Sequence, residues 1–129
     1  MPVLNVGTVG QELNLLVRQG ADFVLDFELT NPDTTPVNLT GIQGITSQVR
    51  KTPSNPVVVQ SFTVVIPTPS NGKFSAALTA AQTGAIKAND DPKSSENNYV
   101  WDMELHDSLG AVTPLFYGTF KMFRQVTRD

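Results

Sequence analysis

Residues 23–41 read FVLDFELTNPDTTPVNLTG, and the two halves of this stretch carry different messages. From Phe23 to Thr30 apolar and polar side chains alternate. Phe23, Leu25, Phe27 and Leu29 share one face of an extended chain, and Asp26 and Glu28 point the other way. The second half is a polar reversal. Pro32 and Pro36 preset φ, Asp33 can bond back to the main chain, and VNLTG at 37–41 closes the crossing. A half-buried strand followed by such a turn belongs to a sheet, which makes the acidic residues its wet side.

The same grammar extends over the rest of the chain. Nine prolines and nine glycines punctuate it every ten to fifteen residues, and the segments between them are short and rich in Val, Ile, Thr, Phe and Leu. The pattern predicts strands over 13–18, 22–30, 42–50, 57–66, 73–79, 99–105 and 111–123, with a short extended piece at 37–39. VVVQSFTVVI at 57–66 is apolar enough for a central strand, and Asn71-Gly72 marks a hairpin connection into 73–79. One helix is expected near residues 80–88. There Thr79 stands as N-cap with Gln82 three positions on, and Gly84 limits the helix to a turn or two. Seven or eight strands with one short helix make a two-sheet all-β sandwich. Phe23, Phe27, Phe62, Phe74, Trp101, Phe116 and Phe120 would fill the layer between the sheets.

Composition narrows the function. The 129 residues suit one domain with a sizeable core, divided as an N-terminal arm over 1–12, a sandwich over 13–123 and a C-terminal tail over 124–129. No cysteine is present, which excludes disulfides, thiolate metal sites and a cysteine nucleophile. The net charge is −3 and the nine Lys and Arg are scattered, so no basic stripe exists to neutralise a phosphate backbone. The first twenty residues have no basic leader region, and their apolar run is broken by Gly7 and Gly10. They read as neither a signal peptide nor a membrane span, and the expectation is a soluble protein made in the cytosol. That N-terminal stretch is patterned too weakly to pack alone. The expectation is an arm ordered by a neighbouring subunit, with Leu4 and Val6 as partner-binding anchors.

Candidate chemistry is sparse. Asp102, Glu104 and His106 alternate on one strand face, but neighbouring members stand about 7 Å apart along a strand and the first and third about 13 Å, too far for one small ion. His106, Asp107 and Ser108 are neighbours in a tight turn, which cannot form a proton relay, and no nucleophile elbow is present. Asp90, Asp91 and Glu96 have the oxygens Ca²⁺ requires without the spacing of a calcium loop. Asn38 heads an NLT triplet of the kind that chance supplies. Tyr99 and Trp101 fall on the face of Met103 and Leu105, which makes them core rather than a ligand platform. No catalytic, metal or cofactor-binding set emerges, and the protein is expected not to be an enzyme.

The order of the segments adds a further clue. A QG-D-F motif (Gln19, Gly20, Asp22, Phe23) leads to P-V-NLTG (36–41), QVRK (48–51), NGK before LTAAQT (71–83), YVWDMEL–D–G (99–110) and a closing G-T-F…VTR (118–128). This series resembles a family of β-sandwich proteins of tailed bacteriophages and prophages. It is similar to the immunoglobulin-like N-terminal module of upper baseplate proteins. The resemblance spans about residues 13–128. It implies an immunoglobulin-like sandwich and a non-enzymatic structural role in the virion, as an adaptor in the tail or baseplate that joins tail components or attaches fibres. Its partners would be other virion structural proteins, with homo-oligomerisation in the assembled particle and no nucleic acid, membrane or cofactor. Exposed edge strands, with unpaired N–H and C=O groups, suit such an assembly role. The competing readings are a capsid decoration or neck protein and, from another class, a glycan-binding module for host recognition, which needs an exposed aromatic patch.

Overall fold

Alternation along residues 23–30 has the expected consequence: Phe27 and Leu29 are fully buried, Phe23 and Leu25 half-buried, and Val24 and Asp26 face solvent. The structure, a computed structural model, describes residues 3–5, 10–88, 91, 94 and 97–124. Within them lie ten strands: β1 (Val3–Asn5), β2 (Gln11–Glu12), β3 (Leu15–Arg18), β4 (Phe23–Thr30), β5 (Gly44–Arg50), β6 (Gln60–Ser61), β7 (Thr63–Val65), β8 (Lys73–Leu78), β9 (Asn98–His106) and β10 (Val112–Phe123). One α-helix, α1 (Ala80–Ala85), precedes β9, and a 3-10 turn over Pro69–Asn71 precedes β8. The count exceeds the expected seven or eight because four of the ten strands, β1, β2, β6 and β7, have only two or three residues.

Two sheets face each other. One runs β1-β4-β8-β7, and the other runs β2-β10-β9-β5-β6 with β3 following β2 along the same edge of β10. This is the strand order of an immunoglobulin-like sandwich, in which the N-terminal segment contributes to both sheets. Between the sheets Phe27 stacks on Phe74 at 5.1 Å and meets Phe116 at 5.1 Å. Trp101 stacks on Phe116 at 6.4 Å and contacts Phe62 at 6.0 Å. Six of the seven expected core aromatics are buried, and Phe23 is half-buried against Phe62.

Helix α1 seals one end of the sandwich. Its capping box is complete: Gln82 N donates to Thr79 Oγ1 and Thr79 N to Gln82 Oε1. It docks on the turn before β4, where Ala80 N donates to Asp22 Oδ1 at 2.7 Å. Buried Thr83 donates through its hydroxyl to Ala21 O and accepts from Gly20 N, and Gln19 Nε2 donates to Ile86 O. The QG-D-F and LTAAQT motifs, sixty residues apart, are therefore one interlocked structure. Beyond the helix, Tyr99 Oη donates to Lys87 O at 2.7 Å. That bond makes a tyrosine corner at the start of β9, two residues before Trp101.

Two expectations are corrected. Residues 57–66 do not form a central strand. The segment runs along the edge of one sheet as β6, crosses at Phe62, and continues along the edge of the other as β7. Its apolar density serves this crossing, for which Phe62 is the buried pivot. Nor does Leu4 wait for a neighbouring subunit. β1 pairs in parallel with β4, with Leu4 opposite Leu29, and the Leu4 side chain is fully buried in this chain's own core. Val6 lies outside the described residues, as does the tail beyond Arg124.

Candidate functional site

A single extra residue in β10 decides what the second sheet shows to solvent. Its register against β9 shifts between Pro114 and Phe116, and Leu115 and Phe116 are both buried. Unbroken alternation from exposed Val112 would turn Phe116 and Phe120 outward and Tyr117 inward. The bulge reverses this, and Pro114, which has no N–H to offer a ladder, sits where the pairing breaks. Tyr117 consequently stands half exposed on the outer face with Thr119 beside it.

Pairing sets those two against the outward residues of the neighbouring strands. Tyr117 lies opposite Asp102, which lies opposite Gln48; Thr119 lies opposite Val100, which lies opposite Arg50. The two rows line a groove of ≈ 420 Å³, to which Glu12 of β2 and Pro53 of the loop after β5 also contribute. Gly118 lets the N-terminal segment close in at the groove's edge. A Cβ there would run into Leu13 O and come within 2.8 Å of Asn14 Oδ1. The chain is held at that point by Leu13 N donating to Tyr117 O, Thr119 N to Asn14 Oδ1, and Trp101 Nε1 to Leu13 O at 2.7 Å.

The groove's charges are unequally satisfied. Arg50 spends its fork within the chain, Nη1 donating to Asn55 O at 2.8 Å and Nη2 to Gln48 Oε1 at 3.0 Å. Asp102 is exposed on the outer face, but the groove walls partly desolvate its carboxyl and hold it above the ordinary aspartate range; neighbouring Glu104 pushes it further, and Arg50 draws it back in part. Among the described residues no donor bonds the Asp102 carboxylate.

The structure scatters the other candidates. Asp102, Glu104 and His106 do share the outer face of β9, but His106 Nε2 is paired with Thr46 Oγ1 at 3.1 Å. Asp107 Oδ1 accepts from Leu109 N and Ala111 N, which makes it a turn residue beside exposed Ser108. Asp90 and Glu96 lie outside the described residues, and Asp91 is exposed. Among the described residues no three His, Cys, Asp or Glu side chains converge as a metal site. None of their helices is long and apolar enough to cross a membrane. Asn38 bonds Thr40 N through Oδ1 as a turn residue. Trp101 is 3 % and Tyr99 6 % exposed, so neither offers a ring to a ligand. Gln48, Arg50 and Tyr117 carry no local sequence pattern that marks them as groove residues. Pro114 inside a strand, followed by two consecutive apolar residues, was the signal for the bulge that gathers them.

No family model matches this sequence, and no curated protein does. Among solved structures the chain is similar to a mutant of the SrpA adhesin from Streptococcus sanguinis, with a TM-score of 0.52 and 11 % identity. The match covers 88 % of this chain and 56 % of the adhesin chain, so the protein spans little more than half the length of that neighbour. At that identity the likeness is one of fold: an all-β, immunoglobulin-like sandwich.

Proposed function

We propose that this chain is a non-enzymatic structural protein of a tailed-bacteriophage virion, an adaptor in the tail or baseplate that joins tail components or attaches fibres. The observation that carries the reading is the ordered motif series over residues 13–128, whose stations among the described residues build the framework of the sandwich. Its QG-D-F and LTAAQT stations bond to one another, and its YVW station holds the tyrosine corner and the central tryptophan. Motifs that build the sandwich are what two distant members of one structural family would share. The groove supports a docking role, because it combines an exposed ring, a carboxylate and an amide on rigid strands without a nucleophile–base pair. The protein would act in the virion tail, in several copies, beside other virion proteins. Mass spectrometry of purified particles should find the chain, and electron cryomicroscopy should locate it in the tail. Its absence from particles refutes the proposal, and a copy number matching the capsid lattice would favour the decoration or neck reading.

A second reading, a glycan-binding module, draws support from Tyr117 alone, since Trp101 is buried. Saturable binding of a host saccharide, lost on Tyr117→Ala, would favour it.

A further inference from the structure

The outer face of the second sheet carries an exposed carboxylate at its centre, Asp102, which no donor among the described residues bonds. Asp102 is flanked across the strands by Tyr117 and Gln48 and along its own strand by Val100 and Glu104. The groove's basic residue, Arg50, has both terminal nitrogens engaged, one with the Asn55 carbonyl and one with Gln48. Glu104 outweighs Arg50 in its effect on Asp102, and Glu12 adds a second carboxylate at the groove's other side. The site therefore lacks a cation rather than an anion. Tyr117, half exposed and directly opposite Asp102, presents a ring of the kind that attracts cations and covers their aliphatic stems.

We propose that this groove receives a lysine or arginine side chain carried on a loop of a partner protein, its cationic head on Asp102 and its stem along Tyr117. A carboxylate gains most from a charged donor where water is partly excluded, because the attraction is then less screened. Arginine fits better than lysine, since its planar fork can bond Asp102 while its face lies on the Tyr117 ring. A volume of ≈ 420 Å³ accommodates such a side chain together with the backbone that carries it. The inference rests on reading the chain as a docking module, and it names the chemistry of the partner at that same face.

The test uses the full chain, ¹⁵N-labelled and titrated with capped Gly-Arg-Gly, Gly-Lys-Gly and Gly-Glu-Gly tripeptides and, separately, with lactose. The expected result is saturable movement of the Val100, Asp102, Tyr117 and Thr119 amide signals with the two cationic peptides, arginine the tighter. Asp102→Asn should weaken this binding about tenfold, and its dispersed spectrum will show that it is folded. Absence of saturable movement with either cationic peptide overturns the assignment. Equal response to the glutamate peptide, or unchanged binding in Asp102→Asn, does the same. Movement with lactose alone overturns it in favour of a saccharide. Mass spectrometry of particles tests the underlying reading independently. Silence toward the peptides removes the cation assignment, whereas absence from particles removes the tail-adaptor reading.

Discussion

Asp102 is exposed, yet partial desolvation in the groove and the charge of Glu104 hold its carboxyl above the ordinary aspartate range. The folded chain therefore binds this proton at a higher pH than the unfolded chain does. The ionised group weakens the fold at neutral pH, and the penalty disappears as pH falls through its raised folded value. The charged and titratable groups around it are Glu104 on its own strand, Arg50 on β5, Glu12 on β2 and Tyr117 on β10. Asp102→Asn should raise Tm at pH 7 by about 1–2 °C, a small figure because the site is partly solvated. The gain over the parent should vanish below the aspartate range, and thermal melts across pH will show whether it does. Tyr99 offers a test of the opposite kind. Tyr99→Phe keeps the ring and the Lys51 ammonium over it at 4.5 Å but leaves the Lys87 carbonyl without its donor. Urea unfolding should show a loss of about 1–2 kcal/mol; an unchanged midpoint would mean that the corner bond is dispensable.

At the scale of elements, legibility followed periodicity. The β4 stretch, the α1 capping box and β9 were readable because each rests on interactions within a few residues. Three features escaped because long-range pairing decides them. Leu4 lies in a Gly-broken segment with no period, and only the parallel partner at Glu28–Thr30 makes it a core residue. The 57–66 run has the composition of a central strand, yet it divides between two sheet edges around Phe62. The bulge in β10 changes which face Tyr117 occupies without changing the overall apolar content, so the groove residues stayed hidden with it. The status of β1 is open to direct measurement. Leu4→Ala should cost about 2–4 kcal/mol in a denaturant titration, as for a leucine truncated in a packed core. A cost under about 0.5 kcal/mol, typical of an exposed site, would return residues 1–12 to the arm first expected.

For the molecule as a whole, Trp101 is the point where separate parts meet. Its indole N–H bonds Leu13 O in the N-terminal crossing, its ring contacts Phe62 in the segment that passes between sheets, and it stacks on Phe116 beside the bulge. Phe62 continues the contact to Phe23 of the first sheet and to Phe120 of the second. Because one aromatic chain joins both sheets, neither can lose its packing without exposing the other's, and the sandwich should unfold in a single transition. Tryptophan fluorescence, which reports this junction, and far-UV circular dichroism, which reports all the strands, should trace superimposable curves in guanidinium. The native emission should resist quenching by iodide, since the indole is 3 % exposed. A fluorescence change that precedes the loss of strand signal would show the N-terminal crossing detaching first. In that case the short β1–β3 pairings, and not the aromatic chain, would set the limit of cooperativity.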